Sequence, residues 1–328
     1  MSDLQKEISQ EYDFTVKTVI PFKDFFIIDT SIGKKVLRKL NFSQERILFI
    51  HGAKEHLFRN NFCNIDRFIC NKKGLLYVNI NGSYYAVTEL IQGRECDFEE
   101  REDVIKASVA LAQMHNSSRG YIPPEKSLIK DDLGKLPAQF LKRLEEFKRV
   151  KRMAQKEKGN LDYLILQYID YFYSLGEEAI SLIKKSKYKE LVEKTREERL
   201  FCHHDYTHSN IIIGDKETSI INFNSCCFEL KVYDLANLLR RKMRKCNWDI
   251  KEAKVIIDAY RSVEPISEDE FFVMKIMLQF PQKFWRVVNK YYNSRRSWRD
   301  RTFERKFKEV IDEIKYHKKF IDAYDYLY

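Results

Sequence analysis

Residues 201–224 read FCHHDYTHSNIIIGDKETSIINFN, an H-x-D-x-x-x-x-N loop set directly before two short apolar runs able to pair as a hairpin. That order of groups is the order of a phosphoryl-transfer loop. In such loops a carboxylate orients an attacking hydroxyl and accepts its proton, and a following amide oxygen holds the metal that screens the phosphates. Asp205 and Asn210 stand at those places, and His203 reads as a structural hydrogen-bonding residue of the loop. The hairpin should then return a second carboxylate to the metal, yet Ile220-Ile221-Asn222-Phe223-Asn224 brings two amides. Mg2+ is a hard cation that prefers carboxylate oxygen and sheds water reluctantly, so a neutral ligand at Asn222 gives up much of the attraction.

Upstream of the loop, residues 12–90 are β-rich, with runs FTVKTVI, DFFIIDT, KKVLRKL, LLYVNI and SYYAVTEL, and Asn81-Gly82 between the last two is a hairpin signal. Ser43 opens a helical pattern through Ile47, Ile50, Leu57 and Phe58 that ends near Asn60-Asn61. Strands with one inserted helix describe the small lobe of a kinase-like protein. On the third strand, alternation puts Arg38 into the pocket as the cation for the phosphates and Lys39 on the opposite face. A solvated strand edge is the competing reading of the same lysines and arginine. The helix glutamate that would pair with this cation is Glu45 or Glu55, and Glu89 to Ile91 is the segment whose backbone would meet an adenine ring. No G-x-G-x-x-G phosphate loop is present.

After Gly93 the pattern turns helical. Asp97 and Glu100 read as a capping box, followed by a face of Val104, Ser108, Leu111, Ala112 and His115. Further helical patterns run through Phe140 to Ala154 and Leu161 to Leu175, then over 234–246, 250–262, 267–279 and 302–321, with Ser267 and Glu270 as another capping box. Phe280-Pro281-Gln282-Lys283-Phe284-Trp285 through Tyr291-Tyr292 reads as a core helix with a tyrosine-rich end. Asp234, at a helix N-terminus, caps that helix and ties down the loop backbone. His204 and His208 read as surface imidazoles. The basic runs Arg240 to Lys245 and Arg295 to Lys308, the second with Trp298 and Phe303 interleaved, read as solvated faces rather than a nucleic-acid surface.

A chain of 328 residues with 44% hydrophobic and 14% aromatic content packs as a globule, and its net charge of +10 favours an anionic partner. No segment approaches the roughly 20 apolar residues of a membrane-spanning helix, and the polar start points to a soluble, intracellular protein. Seven cysteines without a C-x-x-C pair support neither a zinc site nor a disulfide framework.

His203-His204-Asp205, Asn210, Tyr233-Asp234-Leu235-Ala236 and Leu111-Ala112-Gln113-Met114-His115 resemble the aminoglycoside phosphotransferase and choline kinase superfamily. A closer similarity, over nearly the whole chain, is to the CotS family of spore coat proteins. It rests on His56-Leu57, Tyr84 to Glu89, Gly93-Arg94-Glu95-Cys96, the 202–210 loop and Phe280-Pro281-x-x-Phe284-Trp285 with Tyr291-Tyr292-Asn293. The resemblance implies an α+β bilobal protein kinase-like fold. Residues 1–92 would form the small lobe and 93–328 the helical lobe, which carries the loop at 203–210 and the metal-type hairpin at 220–224. It also implies a place in the spore coat among other coat proteins, reached from the mother-cell cytoplasm, with ATP and Mg2+ as cofactors. Family members commonly carry aspartate at the places of Asn222 and Asn224 and lysine at that of Arg38. Two readings follow: a coat protein on a kinase-like fold with weakened phosphotransfer, or a working ATP-dependent kinase of a small hydroxyl compound.

Overall fold

The computed structural model describes residues 3–157, 159–293 and 300–328; Arg295 and Trp298 of the second basic run lie outside them. A nine-residue helix α1 (Asp3–Glu11) leads into β1 (Val16–Phe22), β2 (Phe25–Thr30) and β3 (Gly33–Leu40), followed by α2 (Gln44–Arg59), β4 (Phe68–Ile69), β5 (Val78–Ile80) and β6 (Ser83–Glu89). These strands make one antiparallel sheet in the order β1-β2-β3-β6-β4, with β5 also on β6. Ile80 pairs with Ser83, leaving Asn81-Gly82 as a two-residue turn, and both turn residues have positive φ (49° and 76°), as a type I′ hairpin requires. Ser43 caps α2 by accepting from the Arg46 N–H.

The sheet's two faces divide the strand residues. Leu37 packs with Ile8, Tyr12, Val16, Ile28 and Val87 on one side, and Leu40 and Ala86 pack against Ile47 of α2 on the other. The helix α1 was not legible as an element, because its apolar content is only Leu4 and Ile8; it closes the outer face of the sheet.

The rest is helical: α3 (Arg101–Ser118), α4 (Leu136–Glu157), α5 (Asn160–Lys185), α6 (Tyr188–Glu198), α7 (Val232–Met243), α8 (Ile250–Arg261), α9 (Glu268–Gln279), α10 (Gln282–Asn293), α11 (Asp300–Asp312) and α12 (Ile314–Ala323). Short pairs interrupt them: β7 (Arg94–Glu95) and β10 (Thr218–Ile220) flank β9 (Ile211–Ile213), and β8 (Phe201–Cys202) pairs with β11 (Cys227–Phe228). Helix α3 runs through the core with Val104, Ser108, Leu111, Ala112 and His115 all buried, as its periodicity requires. The Ser267/Glu270 capping box is present.

Three expectations need correction. Asp97 does not open α3: its side chain accepts from the Glu99 N–H in a local turn, and Glu100 is the N-cap without a side-chain bond. The pattern over 302–321 is two helices meeting at Glu313. The run Arg240 to Lys245 is not a solvated face, because α7 is enclosed by α3, α8 and α9. Lys242 is buried there beside Glu252, and the Arg240 Nε is out of reach of water.

Candidate active site

The loop at 203–210 hangs from one carboxylate. Asp234, in the first turn of α7 and 0% exposed, accepts from the backbone N–H groups of His203 (2.7 Å) and His204 (2.9 Å) and faces His115 Nε2 at 3.4 Å. Burial pushes this carboxyl up, but the bond and charge of His115, with His203 and His204, outweigh it and hold the pKa below the ordinary value. Burial pushes the His115 pKa down against the pull of the Asp234 carboxylate, and its other ring nitrogen meets the Tyr260 hydroxyl at 2.8 Å. His203 is wholly buried: its Nδ1 accepts from the Asp205 N–H, which leaves Nε2 to donate to the Ile221 carbonyl at 3.0 Å. One imidazole thus joins the loop to the hairpin. Tyr206 pins the next turn by donating to the Ala107 carbonyl of α3 at 2.7 Å. His204 is not a surface imidazole, since its ring lies flat on Tyr233 with centroids 4.3 Å apart; His208 is exposed.

The metal-type corner is a closed chain of amides. Asn210 Nδ2 donates to the Asp205 carbonyl (2.9 Å) and to its carboxylate (3.2 Å). The Asn210 Oδ1 accepts from Asn222 Nδ2 at 3.2 Å, and the Asn222 Oδ1 accepts from Arg38 Nη1 at 2.7 Å. Both amide oxygens offered to a cation therefore already face N–H donors, one of them charged. A divalent ion that took the Asn222 oxygen would have to displace this guanidinium. Asn222 sits at φ +66°, a left-handed conformation that Asn and Asp tolerate better than other side chains.

One carboxylate at this corner escaped the sequence pattern. Asp66, on the segment between α2 and β4, accepts from the Asn222 N–H at 3.2 Å, and its other oxygen lies 2.8 Å from the ammonium of Lys54. Lys54 is 2% exposed and occupies the inner stripe of α2 with Ile47, Ile50 and Leu57, which is the signal that could have marked it. The helix thus turns a cation toward the site. Glu55 instead clamps Arg67 through two bonds of 2.9 and 2.7 Å, and Glu45 lies on the surface, so neither meets Arg38. Arg46 of α2 donates to the Asn224 and Cys226 carbonyls at 2.9 and 2.6 Å and fixes the far side of the hairpin.

These groups line a cleft of about 560 Å3 between the sheet and the helices, whose walls include Val36, Arg38, Glu89, Ile91, Asp205, Asn210 and Asn222. Lys39 points away and is exposed. The Glu89 carboxylate is held by Lys35 at 2.6 Å. The fold also gathers Asp132, His204 and Cys227, with ligand atoms within 4.8 Å, although spacing in the sequence offered no such set. Asp132 is engaged by Lys130 and Lys135, and burial pushes the Cys227 thiol far up, so this trio is poorly suited to an ion.

An antiparallel sheet with one inserted helix, joined to a helical body across a cleft that holds the H-x-D loop, is the bilobal protein kinase-like fold. Its architecture is similar to an aminoglycoside phosphotransferase from Alicyclobacillus acidocaldarius, with TM-score 0.86 and 19% identity over 98% of this chain and 95% of that one. It is also similar to an amicoumacin kinase solved with AMP-PNP and Ca2+, with TM-score 0.58 and 12% identity over 96% and 94% of the two chains. By sequence, 304 residues are 25% identical to spore coat protein S of Bacillus subtilis, over 92% of this chain and 86% of that protein. The chain belongs to the family described as "Spore coat putative kinase YutH", which it matches over residues 5–324.

Proposed function

We propose that the protein is a spore coat-associated member of this family whose kinase-like cleft holds ATP and Mg2+ weakly and has weakened or lost phosphotransfer. It would be made in the mother-cell cytoplasm and assembled with other coat proteins, with residues 1–92 as the nucleotide-side lobe and 93–328 as the helical lobe. The likeness to a coat protein over most of the chain supports the coat assignment. Within the cleft, Glu89 and Ile91 would meet the adenine and Arg38 the phosphates. Asn210 and Asn222 would be the metal ligands, and Asp205 would align a hydroxyl. The observation that carries the weakened activity is the 2.7 Å bond from Arg38 to the Asn222 oxygen, which puts a fixed cation against the ligand the metal needs.

The test is thermal stabilisation by Mg·ATP, since a ligand that binds only the folded chain raises its melting temperature in proportion to affinity. The unaltered protein should respond weakly and Asn222→Asp more strongly. A second reading, a working kinase of a small hydroxyl compound, is favoured by the anchored Asp205 and its contact with Asn210. Large magnesium-dependent stabilisation of the unaltered chain, with ATP-dependent phosphorylation abolished by Asp205→Asn, would establish that reading in place of the first.

A further inference from the structure

The corner between α4, α7 and α10 holds a cavity of about 50 Å3, lined in part by Arg143, Tyr233, Asn237, Arg240, Gln282 and Arg286. The residues Phe280 and Gln282 of the Phe280-Pro281 stretch, which the cleft chemistry leaves unexplained, form one wall. A cavity needs roughly 10–15 Å3 of such space to hold one water, and this one exceeds that several-fold, room enough for the oxygens of a carboxylate or phosphate group.

Its charge is unbalanced. Among the described residues, Arg143, Arg240, Arg241 and Arg286 form no ion pair, whereas Arg244 and Lys283 nearby share Glu313. Arg240 spends two nitrogens on neutral oxygens, Asn237 Oδ1 at 2.8 Å and the Met277 carbonyl at 2.6 Å, and its buried Nε has no partner among the described residues. Arg143 reaches the Gln282 amide at 2.5 Å and lies over the Trp285 ring. Burial pushes the Arg240 guanidinium down to about 9, and the guanidinium groups of Arg244, Arg143 and Arg286 push in the same direction. Guanidinium keeps its proton under ordinary conditions, so the shift measures a cost that an anion would relieve.

The cavity adjoins the loop. Tyr233 on its wall carries the His204 ring, next in sequence to Asp205, and the Asp205 charge is felt by Arg241. We propose that this cavity binds the carboxylate or phosphate group of a small anionic hydroxyl compound, one aromatic ring, that of Tyr233, away from the loop that carries Asp205. A cationic amino alcohol would be repelled. Calling the compound an acceptor rests on the reading of Asp205 given above; the anion site does not.

The probe is inorganic phosphate, titrated at constant ionic strength against chloride with the melting temperature as readout. Phosphate should stabilise the unaltered protein, and choline should not. Arg240→Gln and Arg286→Gln should each weaken the apparent affinity about tenfold, the worth of one charge-assisted bond, while Lys39→Gln, at an exposed site outside both cavities, leaves it unchanged. Arg286 is exposed, so its variant keeps the fold and decides the matter if Arg240→Gln does not. No response to phosphate, a response untouched by both variants, or one lost in Lys39→Gln would overturn the proposal. The Mg·ATP experiment is read at Asn222 instead, so either result can fail alone.

Discussion

Asp234→Asn removes a charge from the group that holds the loop's first two backbone N–H groups. The carboxylate accepts two backbone N–H bonds, at 2.7 and 2.9 Å, in a place without solvent. An amide of the same shape keeps one acceptor oxygen and turns an NH2 toward the other donor. One charge-assisted bond is lost and one buried N–H is left unpaired, together worth about 3 kcal/mol. Amide exchange at His203 and His204 reads this locally, and that energy corresponds to about 100-fold faster exchange in the variant if opening is at equilibrium. Because the Asp234 pKa lies below its ordinary value, the stabilisation is complete above about pH 4 and is lost on further acidification. The gap between the two proteins should be flat from neutral pH down to that point. Exchange within threefold of the unaltered rate would mean that the loop is held by something else.

Gly93→Ala should lower stability by about 2–4 kcal/mol in denaturant unfolding, because a Cβ there would lie 2.5 Å from the Ile213 carbonyl oxygen at a φ of +140°. A loss under half a kilocalorie would show that β7 and β9 can part freely. Burial pushes His317 down to about 4, so the unfolded chain takes up a proton below about pH 6.5 while the folded one does not. Its contribution is whole above that pH and falls by about 2–3 kcal/mol toward pH 4; unfolding free energies across this window should slope less in His317→Gln.

The sheet was legible because its signals are local: Asn81-Gly82 fixes one hairpin, Ser43 starts α2, and period-two alternation places Arg38 and Lys39 on opposite faces. The H-x-D loop was legible because its spacing is chemical. The ion pairs were not. Lys54 meets Asp66 and Asp66 meets Asn222, which lies 156 residues away. Periodicity can place a charged residue on an inner face but cannot name its partner. The basic run of α7 misled for the same reason: a charged helix is solvated only if nothing covers it, and the covering helices come from distant segments. Helix α6 was missed although its buried residues Tyr188, Leu191, Val192 and Thr195 fall at helical spacing, because only the first three are apolar and charged residues fill the rest of its eleven positions.

The most direct measurement is calorimetric titration of the unaltered protein with a non-hydrolysable ATP analogue, once with a chelator and once with saturating magnesium. With the Asn222 oxygen facing Arg38, magnesium should change the dissociation constant by less than about tenfold, and Asn222→Asp should exceed that factor. A tightening of about 100-fold by magnesium in the unaltered protein would contradict an amide-lined corner that holds metal weakly.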